Sequence, residues 1–127
     1  MVATTGMFSG FAVRDIDVAR TFYRDTLGLA VEDNAMNAIN IALPQGGIIF
    51  VYPKGDHEPA SYTILNLEVA DIDVAVDELV AAGVAIARYE NSYQDEKGIS
   101  RGKSANMGPD IAWFTDPSGN ILSVLAT

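Results

Sequence analysis

The 127-residue chain has no cysteine and a single histidine, His57. The first absence excludes disulfides, thiol catalysis and cysteine-ligated metal. The second excludes any site that takes two imidazoles from one chain. Basic residues are also scarce: 8 Lys+Arg face 17 Asp+Glu, a formal net charge of −9. A nucleic-acid partner needs a basic stripe that displaces counterions from phosphates, and none is present. An anionic membrane surface is disfavoured for the same reason. No apolar run approaches the roughly 18 residues of a membrane span. The opening MVATTGMFSG lacks the charged-then-apolar order of a secretory signal, so a cytoplasmic location is expected. What remains is ordinary globular composition, 49% hydrophobic and 20% charged, at a length suited to one domain. The acidity favours a neutral or cationic ligand over a phosphorylated one, and its plainest use is solubility.

The chain repeats itself. VRDIDVA at Val13 to Ala19 returns as VADIDVA at Val69 to Ala75. FSGFAV leads into the first copy and ILNLEV into the second. Both copies close on a glycine, Gly28 and Gly83, the first copy being one residue longer. In each, alternating apolar residues predict a strand: Phe11 and Val13, then Leu65, Leu67 and Val69. Asp15 and Asp71 then fit helix N-caps, because a carboxylate can accept the free N–H groups of a first turn. Ile16, Ala19, Phe22, Tyr23 and Leu27 follow at helical spacing, as do Ile72, Ala75, Leu79 and Ala82. Gly28 and Gly83 fit the left-handed C-terminal cap.

Three strands are expected after each helix. They lie near Ala30–Asp33, Ala38–Leu43 and Gly47–Pro53, and near Val84–Tyr89, Asp110–Thr115 and Asn120–Leu125. PQGG at Pro44 to Gly47 and DPSGN at Asp116 to Asn120 are the turns between strands. PKGDHEPA, Pro53 to Ala60, reads as a charged linker. The polar, glycine-dotted stretch from Asn91 to Gly108 reads either as a flap over a binding site or as a mobile loop. The whole chain, 1–127, is therefore expected to be one domain, with module 1 at about 6–53, a linker at 54–60 and module 2 at about 61–127. Half a chain can hardly bury a core alone. Two βαβββ halves side by side predict an α+β fold, a curved mixed sheet with a concave cleft and helices on the convex face.

Alternation assigns faces within the strands. With Leu65, Leu67 and Val69 under the helix, Tyr62, Ile64, Asn66 and Glu68 face the cleft. Phe8, Gly10 and Ala12 do so from the opening strand, and Ile121, Ser123 and Leu125 from the last. Glu68 is the acid this places there, a candidate general base or a partner for a cationic ligand; a solvated strand end is the competing reading. Asn66 can donate to and accept from a ligand. Tyr62, Tyr52 and Trp113 can stack on a flat one, although core packing competes for Trp113. His57 is read as exposed in the linker, with no support for a Ser-His-Asp triad. GISRGKS at Gly98 to Ser104 is one residue short between its glycines for a phosphate loop and lacks a following helix. Arg101 and Lys103 are left as loop residues able to meet an anionic ligand.

The motifs DIDVARTFYRDTLGL (Asp15 to Leu29), DIDVAVDELVAAGV (Asp71 to Val84) and FTDPSGNILSVL (Phe114 to Leu125) resemble those of the vicinal oxygen chelate superfamily. That superfamily includes glyoxalase I, extradiol dioxygenases and bleomycin-resistance proteins. The resemblance spans nearly the whole chain and implies paired βαβββ modules, often in a homodimer. In the metal-dependent members of that superfamily a divalent metal is held from four strand positions. The corresponding residues here are Phe8, Val51, Ile64 and Ser123. Hard cations need several oxygen ligands and zinc needs imidazole, thiolate or carboxylate, so no metal and no other cofactor is expected.

The leading expectation is accordingly a metal-free small-molecule-binding protein of the sequestration or resistance type. Its ligand-binding candidates are Phe8, Val51, Tyr62, Ile64, Asn66, Glu68, Trp113, Ser123 and Arg101. The alternative is a metal-independent isomerase or lyase with Glu68 as its catalytic candidate. A second alternative is a metal-dependent glyoxalase- or dioxygenase-like enzyme with unusual ligands. The sequence leaves open whether the chain is an enzyme.

Overall fold

The structure is a computed structural model that describes residues 1–90 and 92–127. It divides into two compact units, Met1–Glu58 and Pro59–Thr127. The first contains β1 (Ser9–Val13), α1 (Ile16–Thr21), β2 (Val31–Asp33), β3 (Ile39–Ala42) and β4 (Ile48–Pro53). The second contains β5 (Thr63–Glu68), α2 (Ile72–Ala81), β6 (Ser100–Arg101), β7 (Asp110–Thr115) and β8 (Ile121–Ala126). Each unit forms a four-stranded mixed sheet, in the orders β1-β4-β3-β2 and β5-β8-β7-β6. The opening strand pairs in parallel with the last strand of its unit, and the remaining pairs are antiparallel. The fold is α+β, as the repeat predicts.

The two helices start alike. Asp15 Oδ1 accepts from the N–H groups of Asp17 and Val18 at 2.9 and 3.1 Å. Asp71 Oδ1 does the same for Asp73 and Val74 at 3.0 and 3.2 Å. They end differently. The first helix was expected to stay regular to Leu27, but Phe22–Thr26 widens into a π-helical turn. There Leu27 N donates to Phe22 O at 2.9 Å. A π-turn is how a helix accommodates one extra residue, and the first copy of the repeat has one residue more than the second. The stretch buries Tyr23 completely.

In the first unit, Val13, Ile16, Ala19, Tyr23, Ile39, Ile41 and Val51 are buried. In the second, Ile72, Val76 and Leu79 of α2 are buried, with Ala112, Phe114, Leu122, Val124 and Ala126 of β7 and β8. Burying such side chains is worth roughly 1.5–3 kcal/mol each, which is what holds one helix against each sheet.

Three expectations are corrected. Val84–Tyr89 is not a strand; the edge of the second sheet is Ser100–Arg101. Ala87 N does reach Trp113 O at 2.8 Å, but a side chain takes over the neighbouring backbone groups. Gln94 Nε2 donates to Ala87 O and Gly98 O at 2.8 Å, and its Oε1 accepts from Tyr89 N at 2.9 Å. Next, His57 is not exposed: it is 7% accessible. Its backbone N–H donates to Lys54 O at 3.0 Å and its carbonyl accepts from Arg14 Nη2 at 2.9 Å, so the charged segment folds back on the unit. Finally, the segment read as a flap or mobile loop begins at Asn91, which lies outside the described residues. From Gln94 onward it is a bonded hairpin, with Ile99 fully buried and Asp95 Oδ1 accepting from Lys97 N and Ile99 N at 2.9 Å.

Candidate functional site

The candidate side chains of β5, β7 and β8 share the face of the second sheet turned away from α2. In the second unit the register makes that face explicit. Asn66 is opposite Ser123, Ser123 is opposite Trp113, Glu68 is opposite Leu125, and Thr63 is opposite Ile121. A β-bulge falls between Thr63 and Leu65. One unpaired residue reverses the alternation, so Thr63 joins Asn66 and Glu68 on this face and the half-buried Ile64 occupies the bulge. The expected grouping of Ile64 with Asn66 and Glu68 is corrected by that bulge. Trp113 Nε1 donates to Thr63 Oγ1 at 3.2 Å. The indole meets the ring of Tyr89 edge-on, with centroids 5.7 Å apart and planes at 80°. Ser123 Oγ donates to Asn66 Oδ1 at 2.6 Å. Ser123 is fully buried, Trp113 is half-buried, and Asn66 and Glu68 are exposed. Tyr62, just before β5, is also exposed.

The corresponding face of the first unit is aromatic. Phe8 and Phe50 meet edge-on at 6.3 Å, and Phe50 stacks with Tyr52 at 5.7 Å with planes 22° apart. Gly10 lies opposite Phe50 in the ladder. A Cβ on Gly10 would stand 2.6 Å from Phe50 O, so the close approach needs glycine there.

Val51 does not belong to this face. It is fully buried and pairs with Phe11 and Ile39, on the helix side of the first sheet. The ladder shows why: Gly10 is paired with Phe50 as its repeat counterpart Asn66 is paired with Ser123. Phe50, not Val51, is thus the counterpart of Ser123.

Arg101 is also placed elsewhere. It is opposite Asp110 in the β6–β7 ladder, on the side facing α2. Its Nη1 and Nη2 meet the two carboxylate oxygens of Asp73 at 3.0 and 2.8 Å, and its Nε meets Asp95 Oδ2 at 3.0 Å. Lys97 Nζ adds Asp73 and Asp77 at 3.1 and 2.9 Å. The hydrogen bonds from Arg101 and then Lys97 hold the Asp73 carboxyl well below the usual carboxylate range, and Asp73 in turn raises Arg101. For Asp95 burial acts upward, but bonds from Ile99 N, Arg101 and Lys97 N carry it below its ordinary value. Arg101 is therefore committed to fastening the hairpin to α2.

The metal positions can be tested on the donors present. The first unit offers Phe8 and Phe50, which have no ligating atom. The second offers Ile64, with none, and Ser123, whose hydroxyl is held by Asn66. This donor set does not fit a divalent cation. Among the described residues, no group of three or more His, Cys, Asp and Glu side chains is placed to hold one.

Two repeated units, each a mixed four-stranded sheet backed by one helix, define a paired-module α+β protein. The sequence model of the Glyoxalase/Bleomycin resistance protein/Dioxygenase superfamily matches residues 5–124, and the chain belongs to that superfamily. Solved structures of the same fold include an integron cassette protein from the mobile metagenome of a Halifax Harbour sewage outfall. It is 17% identical, with a TM-score of 0.69 over 98% of this chain and 100% of the other. A superfamily member from Sphaerobacter thermophilus is 21% identical, with a TM-score of 0.66 over 96% and 98%. The fosfomycin resistance protein FosX from Listeria monocytogenes is 12% identical, with a TM-score of 0.69 over 99% and 95%. These likenesses show the fold. Comparison with curated proteins finds no match. Among the described residues, no helix is long and apolar enough to cross a membrane.

Sequence reasoning missed Thr63, Tyr89 and Phe50. Phe50 was within reach, because aligning the two closing strands through their ladder partners rather than their turns selects it. The bulge behind Thr63 and the fold-back that brings Tyr89 to Trp113 leave no local sequence signal.

Proposed function

We propose that this protein captures a small organic molecule on the helix-free face of its second sheet, without a metal ion and without turnover. The carrying observation is the corner made by Trp113 and Tyr89, set beside the exposed Asn66 and Glu68. Apolar and aromatic surface with a few placed polar groups is the usual make-up of a small-molecule site. The misfit of the metal positions supports capture over Lewis-acid chemistry. The name of the structurally similar FosX associates the same fold with fosfomycin resistance. The acidic balance favours a neutral or cationic ligand, with neither nucleic acid nor membrane as partner. The resemblance adds a homodimer to the proposal.

Trp113 is the only tryptophan, so its fluorescence reports on this face alone. Titration of the chelator-treated protein with aromatic compounds should give one-to-one saturation, with the compound recovered unchanged. Consumption of the compound would overturn capture, and stoichiometric metal in the untreated protein would overturn the metal-free reading. One observation favours a second reading, a metal-independent isomerase or lyase: Glu68 is exposed and makes no ion pair among the described residues. It requires turnover that survives chelation and falls sharply in Glu68→Gln.

A further inference from the structure

We infer that the captured molecule presents a hydrogen-bond acceptor, a carbonyl oxygen or an aromatic ring nitrogen, on a flat frame, and that Ser123 selects for it by orienting the Asn66 amide. The inference rests on the capture reading and names the ligand chemistry of the same face. Ser123 is fully buried, so its hydroxyl proton must find a partner within the protein. Its acceptor is Asn66 Oδ1, at 2.6 Å. Turning the amide over would point its NH2 group at the hydroxyl. The oxygen of Ser123 would then be satisfied, but its proton would be stranded in a buried place, which is the expensive outcome.

The amide oxygen of Asn66 is thus committed inward and its Nδ2 outward. Nδ2 has no acceptor among the described residues, and Asn66 is exposed. The other side-chain N–H on this face, Trp113 Nε1, is already given to Thr63 Oγ1. Asn66 therefore offers two free donors beside an aromatic corner. A ligand with an acceptor gains a bond there; a ligand with only a donor meets N–H against N–H. Glu68, two residues along the same strand face, tolerates a donor or a cation at the far side of the ligand.

The test compares N-methyl-2-quinolone, which only accepts, with indole, which only donates, by isothermal titration calorimetry on the full chain. The wild-type protein should bind the quinolone tighter by about fivefold or more, the value of one net hydrogen bond. Asn66→Asp, at an exposed position that leaves folding intact, should reverse the order, because its second oxygen accepts. Ser123→Ala should bring the ratio towards one by freeing the amide to turn. Equal affinities in the wild type, or an unchanged ratio in Ser123→Ala, overturn the orientation argument while capture stands. Failure of both probes to bind overturns capture together with it.

Discussion

Ser123 illustrates how far one small side chain governs its surroundings. Its hydroxyl, in the middle of the β5–β8 ladder, donates to Asn66 Oδ1 and so sets which way that amide faces. Thr63 stands in a similar relation to Trp113, accepting the indole N–H at 3.2 Å. Thr63→Val should cost about 1 kcal/mol by leaving that donor unpaired, and should shift Trp113 emission; urea denaturation with fluorescence detection reads both. Glu68→Gln tests charge alone. The side chain is exposed, so stability should stay within about 0.5 kcal/mol, whereas affinity for a cationic aromatic probe should fall and that for its neutral analogue should not. Paired fluorescence titrations separate the two effects. At this scale the sequence was informative about residue type and poor about direction. Alternation placed Asn66, Glu68 and Ser123 on one face, but the bulge exchanged Ile64 for Thr63. A bulge is a tertiary choice between two registers, not a property of the residues that form it.

Asp15 and Asp71 are equivalent caps, each accepting from two N–H groups of its first turn. Asp15→Ala and Asp71→Ala should each lose about 1 kcal/mol, measurable as shifts in the thermal or denaturant midpoint. The losses should add, because each cap serves a separate compact unit. Both caps and both glycine stops were legible, since capping is local chemistry. The π-turn at Phe22–Thr26 was legible only as an inequality of length between the repeats; how the extra residue is absorbed depends on burying Tyr23. The failed strand at Val84–Tyr89 has a different cause. Gln94 supplies from its side chain the donor and acceptor that a ladder partner would have supplied, and no propensity scale registers such a replacement.

For the molecule as a whole, the excess of 17 acidic over 8 basic residues makes acid the informative perturbation. Asp73 and Asp95 are held below their ordinary values in the folded state. A carboxylate so lowered binds fewer protons folded than unfolded, so its contribution is complete above the unfolded pKa, near pH 4. It is lost as pH falls from there through the lower folded value. The melting temperature should drop from pH 5 to pH 2. Arg101→Ala should flatten that part of the profile by removing the shared partner of both acids, and scanning calorimetry across the range decides it. Sequence by itself determined the repeat, the βαβββ order, the helix caps, the superfamily and the absence of thiol or imidazole clusters. The superfamily follows from the likeness of its motifs, and the others from local periodicity and residue identity. Tertiary structure decided that Phe50 rather than Val51 faces away from the helix, that Arg101 fastens the hairpin, that His57 is buried, and that Tyr89 meets Trp113. Those four depend on strand register and chain reversal. Both are settled by the lowest joint free energy of residues far apart in sequence, which no single segment encodes.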